Sequence, residues 1–536
     1  MKMGAWTHMK RKLRLYGTIF FVLAVVYLLL LLLLLQAEAA NPQSSIRTLA
    51  DAVWYSVVTL TTVGYGDITP VTTGGHAVGI IFLILSTGLL VTLVGTVFSF
   101  LSSEGFPLLM LSWQKKKNWY YFADMGQEAN ALAQQILEED ADAVVIFGQS
   151  KNSLEEKPDY PCMFINVSPE RIARCKRGVG SRCKVFLMKE NDIGVNPRAV
   201  NIARLPVEVY ARTASGEDTL SGNIHFFHSH DCCAREYWRK KPLTSEEHQI
   251  VLIGFGNYGE ALLTRAIMTN VISPEHHVTY HIFGDVGDFL HMHPGLGRVF
   301  SIQEEADDRD SLVFYEDSWT MHHALLAEAD RIIICEDDEQ QGWDILWHMR
   351  RYYLTRGRID LRNSRSAPGI SYFGTTESIY TPEHILRTTL NQVAIAMNNL
   401  YRRSHPDNSL DWDELEDYLK QSKIAASEHV YTKVRILLKD ERITRLSATD
   451  LTRAYSVYRR KILDPDCLEL FRNIEHQRWL RFYAFYNWTY GPVHNEERRQ
   501  DPRICPYEDL SPEFKAYCDY SWELLGELHL KNGTES

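Results

Sequence analysis

Two long uncharged runs, residues 15–37 and 77–101, bracket a short segment that ends in Thr62-Val63-Gly64-Tyr65-Gly66-Asp67. As helices of 23 and 25 residues they would measure about 34 and 37 Å, enough to cross a hydrocarbon core of about 30 Å. The loop between them therefore falls at membrane depth, where irregular backbone survives only if protein surrounds it or it lines a water-filled path. Gly64 and Gly66 alternate with side-chain-bearing residues. Only glycine reaches the left-handed φ/ψ region freely, and an alternation of that kind turns successive carbonyls toward one side. Residues 45–61 form a short amphipathic stretch that would enter and leave from the same face. As a helix it directs its negative C-terminal end at whatever the loop surrounds, which favours a cation there.

The basic residues Lys10, Arg11, Lys12 and Arg14 before the first run, with Ala37-Glu38-Ala39 after it, imitate a cleavable signal. The apolar core is longer than the roughly 7–15 residues of such signals, so a retained span is expected. With Lys115, Lys116 and Lys117 past the second run, the positive-inside tendency places both termini in the cytoplasm. Four loops meeting on one axis would offer rings of carbonyls able to replace the hydration shell of K⁺. One chain holds one loop, so a homotetramer in lipid is expected. Residues 15–101 resemble the two-helix potassium channel pore, with Trp54-Tyr55-Ser56 matching the aromatic cuff around the filter tyrosine, here Tyr65. The resemblance implies that K⁺ is held by Thr62, Val63, Gly64 and Tyr65. One departure is Val58, where many relatives carry a glutamate that pairs with the aspartate here numbered Asp67. Gly88 and Gly95 offer a hinge or a close helix crossing.

The remaining mass is enough for two or three further domains. Net charge is −11 despite the basic N-terminus, which disfavours nucleic-acid binding. The nine cysteines all lie at or after Cys162, without C-x-x-C spacing, and read as reduced thiols. His225, His228, His230, Cys232 and Cys233 are the densest group of metal-ligand types; the alternative is a polar loop after a strand.

Gln249-Ile-Val-Leu-Ile253 reads as a strand, Gly254-Phe-Gly256-Asn257-Tyr-Gly259 as a tight turn, and residues 260–267 as a helix. In this context the glycines suit a phosphate at the helix N-terminus. A second strand leads to Asp285, placed to hold a ribose hydroxyl and to repel a 2′-phosphate, which favours NAD(H) or an adenine nucleotide. Against this, Glu260 occupies the first helical turn, and the acidic run Glu336-Asp337-Asp338 follows a later strand, leaving a divalent cation as an alternative ligand. Residues 118–124, 127–137 and 143–147 read as strand, helix and strand without a glycine loop. A tandem pair of α/β units after such a pore resembles the regulator-of-K⁺-conductance (RCK, TrkA-N-like) arrangement over about residues 118–400.

Beyond 405 the chain turns helical and aromatic, with Glu475-His476-Gln477-Arg478-Trp479 and Trp488-Thr489-Tyr490-Gly491. This is similar to the repeat domain of ryanodine receptors. Trp479, Phe482, Tyr483 and Tyr486 share one helix face and read as core, with Gly491 as a stop. Trp488 and Tyr490 are candidates for stacking on a planar base, and Arg478 and Arg481 for binding anionic groups.

The expected fold is multidomain: an α-helical pore over 1–104 (helix 15–37, pore helix 45–61, filter 62–67, helix 77–101), a linker at 105–117, Rossmann-like α/β units at 118–245 and 246–400, and a mainly α domain at 405–536. The function this implies is a ligand-gated K⁺ channel of a cell inner membrane, not an enzyme. Alternatives are divalent-cation gating, a constitutive pore with a structural ring, and a membrane-tethered NAD-dependent oxidoreductase.

Overall fold

The computed structural model describes residues 25–102, 110–111, 113, 117–148, 158–169, 171–172, 183–189, 207–213, 220–221, 224–386, 388–404 and 410–533. The chain separates into two compact units, 1–113 and 114–536.

The first unit contains helix α1 over residues 25–38, α2 at Leu49–Leu60 and α3 at Thr73–Ser102. Among the described residues no helix is long and apolar enough to cross a membrane. Residues 15–24 of the first expected span lie outside them, as do several side chains of α3 and most of the 105–117 linker. α2 starts later than residue 45 because Thr48 and Asp51 form a reciprocal cap: the Thr48 amide donates to Asp51 Oδ2 at 2.8 Å and the Asp51 amide to Thr48 Oγ1 at 3.2 Å. Leu31, Leu34, Ile46, Ala52 and Phe82 close a small apolar core between the three helices.

Among the described residues the second unit is built on two seven-stranded sheets. The first comprises β1 (Asn118–Phe122), α4 (Gln127–Glu139), β2 (Ala143–Phe147), β3 (Met163–Phe164), β4 (Cys183–Leu187), β5 (Glu208–Arg212), β6 (Leu220–Ser221) and β7 (Ile224–Phe227), in the order 3-2-1-4-5-7-6. α5 (Ser229–Lys240) follows. The second comprises β8 (Gln249–Ile253), α6 (Asn257–Thr269), β9 (Thr279–Phe283), β10 (Ser301–Ile302), β11 (Ser311–Tyr315), β12 (Arg331–Ile334), α7 (Glu339–Tyr352), β13 (Arg358–Arg362) and β14 (Ser371–Phe373), in the order 10-11-9-8-12-13-14. Every pairing is parallel except β6 with β7. Both orders reverse beside their first strand, the doubly wound pattern whose crevice opens at the carboxyl ends of the strands on either side of the reversal. Strands buried on both faces need continuous apolar runs, and Ile250–Ile253 and Ile332–Ile334 supply them.

One hydrophobic cluster runs from Phe122 and Phe147 through Cys232, Cys233 and Tyr237 to Leu262 and Ile282, so the two sheets share a core. α5 and α6 are the contact: the Trp238 indole donates to the Leu262 carbonyl at 2.9 Å. A helical module completes the unit with α8 (Thr388–Ser404), α9 (Asp417–Glu428), α10 (Val430–Leu438), α11 (Ala448–Lys461), α12 (Pro465–Phe485) and α13 (Asp519–Gly533). α12 ends at Phe485 because Asn487 takes the left-handed conformation, φ 62°, so the expected stop at Gly491 is replaced by one four residues earlier.

Four charged side chains tie α5, α6 and α9 together. Arg265 reaches Asp231 at 2.6 Å and Glu428 at 2.8 Å, and Arg235 reaches Glu428 at 2.9 Å, all largely shielded from solvent. Two cations balance two anions there, and removing one partner leaves an uncompensated interior charge. Arg265→Met should therefore destabilise the protein by about 3 kcal/mol; thermal unfolding of the full chain checks it, and an unchanged melting temperature would contradict this role.

Candidate functional site

The 62–67 loop leaves α2 in a conformation that few sequences adopt. Thr62, Gly64 and Gly66 all have positive φ, at 59°, 56° and 74°, alternating with Val63 and Tyr65. The two glycines announce this alternation; the structure adds Thr62, a threonine in a region that β-branched residues rarely enter. The strain is held from behind, since the Val63 and Gly64 amides both donate to the Val58 carbonyl, at 3.1 and 3.2 Å. Thr62, Val63, Gly64 and Tyr65 thus form one continuous backbone ribbon.

Trp54 braces it. Its ring lies nearly parallel to that of Tyr65, with centroids 6.2 Å apart, and its Nε1 donates to Asp67 Oδ2 at 2.9 Å. With valine at 58, the aspartate takes its hydrogen bond from the tryptophan. Glu38, part of the signal-like tripeptide, is almost fully buried and accepts from the Val71 and Thr72 amides and the Thr72 hydroxyl. The end of α1 is thereby fastened to the segment after the 62–67 loop. Nothing in the composition around Glu38 signals that contact.

In the second unit, Gly254 and Gly256 form the turn between β8 and α6, and Asn257 and Gly259 the first turn of α6, at the reversal of strand order. A Cβ on Gly259 would lie 2.1 Å from the Gly254 carbonyl oxygen, and one on Gly284 2.5 Å from the Phe255 amide nitrogen. The turn carrying Asp285 therefore lies against the glycine loop, and Asp285 Oδ1 accepts from the Gly287 amide at 3.0 Å. The helix N-terminus is already satisfied: Asp337, from the loop after β12, accepts the Asn257 amide at 3.0 Å and the Tyr258 amide at 3.2 Å. Arg362 holds that loop by donating to the carbonyls of Glu336 at 2.7 Å and Asp337 at 2.8 Å, with its guanidinium 4.2 Å from the centre of the Tyr258 ring. Burial raises the carboxyls of Glu336 and Glu260 above the usual range, and the neighbouring Asp337 raises Glu336 further. The acidic run was visible in sequence, but its return onto the amides was not, because 80 residues separate Asn257 from Asp337.

The C-terminal candidates are not brought together. Arg478 is buried and bonded to Glu475 at 2.7 Å, on the wall of a cavity of about 460 Å³. Arg481 pairs with Asp310 at 2.8 Å and lies over Phe300, joining α12 to the second sheet. Trp488 is 3% exposed among Tyr418, Tyr483 and His494, while Tyr490 is exposed.

His225 lies on β7 against Tyr210, and His228 precedes α5 with its Nδ1 within hydrogen-bond distance of Thr213. Cys232 and Cys233 are buried inside that helix, where a polar loop was the alternative expectation. Among the described residues no three His, Cys, Asp or Glu side chains are placed to hold a metal ion.

Comparison with known proteins places the pore. Residues 15–103 match a family described as ion channel. That stretch carries an ion-channel domain. A voltage-gated potassium channel of Aeropyrum pernix is 39% identical over 86 residues, 16% of this chain and 29% of that protein. Potassium voltage-gated channel subfamily A member 2 of Oncorhynchus mykiss is 39% identical over 71 residues, 13% of this chain and 14% of that protein. The matched stretch thus spans less than a third of these curated relatives. Among solved structures, the GsuK channel bound to ADP aligns over 68% of this chain and 96% of that chain at 15% identity, with a TM-score of 0.36. The GsuK channel bound to NAD aligns over 68% and 82% at 11% identity, also with a TM-score of 0.36.

The close approach at Gly256 is specific to Asp337, whose Oδ2 would lie 2.5 Å from an added Cβ. Gly256→Ala should cost about 1–3 kcal/mol of stability, with part restored by Asp337→Ser in the same chain. Gly259→Ala, which meets backbone, should gain nothing from Asp337→Ser; thermal unfolding of the four variants separates the cases.

Proposed function

We propose that this protein is a K⁺-selective channel, a homotetramer of a cell inner membrane with cytoplasmic termini, whose second unit binds a nucleotide and controls the pore. The observation that carries the reading is the left-handed alternation at Thr62, Gly64 and Gly66 within the filter loop. Such a ribbon turns its carbonyls to one side, and four around an axis coordinate a dehydrated cation. In this reading Thr62, Val63, Gly64 and Tyr65 hold K⁺, residues 118–245 and 246–400 are RCK-like units, and 405–536 is a ryanodine-receptor-type repeat domain acting as a sensor. The expected ligand is NAD(H) or an adenine nucleotide at Gly254, Gly256, Asn257, Gly259 and Asp285. Catalysis is not part of this reading.

Asp337 gives nucleotide binding a physical form. A phosphate reaches the α6 amides only by displacing the Asp337 carboxylate, so binding moves the β12 loop that Arg362 grips. Shifting a gate from 1:99 to 99:1 needs about 5.5 kcal/mol of differential binding, or about 1.4 kcal/mol from each of four subunits. The same contact favours a second reading, in which Asp337 closes the site permanently and the sheets only assemble the tetramer.

Two measurements test this. In planar bilayers with K⁺ on one side and Na⁺ on the other, the reversal potential should report strong K⁺ preference. Trp54→Phe should keep that preference while shortening open times, because it removes a charge-assisted bond of about 1.5–3 kcal/mol behind the filter without touching the carbonyls. A non-selective wild type contradicts the channel reading. In titrations with ADP and NAD, Asp337→Asn should bind about tenfold more tightly and Asp285→Ala more weakly. Indifference of wild type and Asp337→Asn to both nucleotides would leave the structural-ring reading.

A further inference from the structure

A cavity of the second unit lies away from the glycine loop. It encloses about 780 Å³ between α5, α6 and the helical module's α10 and α12. Trp238, Leu243, Ile272, Tyr431 and Leu470 give it an apolar lining. Its size suits a small organic molecule.

The charged groups around it differ in how they are satisfied. Arg265 is committed to Asp231 and Glu428, and Arg239 to Glu236 at 2.5 Å and Glu383 at 2.9 Å. Arg442 pairs with Asp440 at the surface. Arg435 is the exception. It is 7% exposed; among the described residues its hydrogen bonds go to main-chain oxygens, Nε to Ile443 at 2.8 Å and Nη2 to Arg239 at 2.6 Å, and its guanidinium lies 5.9 Å from the centre of the Tyr431 ring. Among the described residues no carboxylate lies in ion-pair contact with it; Glu441, also on the cavity wall, attracts it from farther off. Burial lowers the guanidinium to about 10, which leaves it charged at neutral pH. Buried charges are normally paired, and a guanidinium that spends two of its donors on neutral carbonyls and has no carboxylate within ion-pair distance keeps positive charge and donors for something else.

We propose that this cavity is a binding site for a small organic oxyanion with an apolar body, carboxylate or phosphate, whose charge meets Arg435 and whose body fills the space between Trp238, Tyr431 and Leu470. Such a ligand touches α5 and α6 from the sheets and α10 and α12 from the helical module at once, so it fastens the module to the sheets. The site is separate from the glycine loop and does not depend on a nucleotide binding there.

The test uses the full chain in zwitterionic nanodiscs, with 2-naphthoate and the neutral 2-naphthamide as probes of body, and naphthyl phosphate as the phosphate arm. Thermal unfolding and isothermal titration are read together. Naphthoate or naphthyl phosphate should raise the melting temperature while the amide does not, and the stronger of the two identifies the anion. Arg435→Gln should weaken binding at least about tenfold, the cost of a charge-assisted bond, with Arg435→Lys keeping part of it. Should Arg435→Gln fold poorly, Leu470→Trp narrows the cavity at a partly exposed position and leaves Arg435 in place; it should abolish the shift. The proposal is overturned if amide and anions stabilise equally, if none binds, or if Arg435→Gln and Leu470→Trp bind as the wild type does. ADP in the same assay reports on the glycine loop, and its outcome leaves this one unaffected.

Discussion

A backbone that holds every second residue at positive φ is unstable by itself, and the 62–67 loop exists because its surroundings over-determine it. Thr62 is the test of that statement, since a β-branched residue at φ 59° costs free energy that the glycines at 64 and 66 do not. Two amides on the Val58 carbonyl, the Trp54 ring along Tyr65, and the indole bond to Asp67 supply the restraint. With valine at position 58 there is no carboxyl behind the filter to share, and the single indole bond takes its place.

In the larger unit the same theme recurs as buried charge. Asp231, Arg235, Arg265 and Glu428 join three helices from three parts of the chain. Glu475 lies between Lys433 at 2.7 Å and Arg478 at 2.7 Å; the two cations hold its carboxyl well below the ordinary range, while burial lowers Lys433 to about 8. Networks of this kind are weak sources of stability, but they specify which surfaces meet, and breaking one is costly. They suit a unit in which movement of one loop is to be felt in another module. The Asp337 carboxylate on the α6 amides is the place where such movement would begin.

Much of this was legible in the amino-acid order where the signal is local. The strand at Gln249–Ile253, the glycine turn and the helix after it follow from a β-branched run and three spaced glycines. Strand β1 and helix α4 follow from an aromatic run and a 3.6-residue period. What failed to show was long-range. α5 looked polar because His228, His230 and Asp231 dominate its start, yet Cys232, Cys233 and Tyr237 turn its other face into the shared core. Arg478 and Arg481 looked like anion ligands because sequence cannot reveal that Glu475 and Asp310 already face them. The partner of the glycine loop was hidden for the same reason. Arg435, with no acidic residue at helical spacing to mark it, gave no signal at all.

The central claim is that residues 62–65 of four chains form one cage for dehydrated potassium. Diffraction from crystals of the membrane-embedded protein soaked in Tl⁺, a potassium mimic with an anomalous signal, addresses it most directly. The account predicts a row of anomalous peaks on a fourfold axis, each ringed by main-chain oxygens of Thr62 to Tyr65 and lost when Na⁺ replaces Tl⁺. A structure without fourfold symmetry, or an axis free of peaks at the filter, would contradict it.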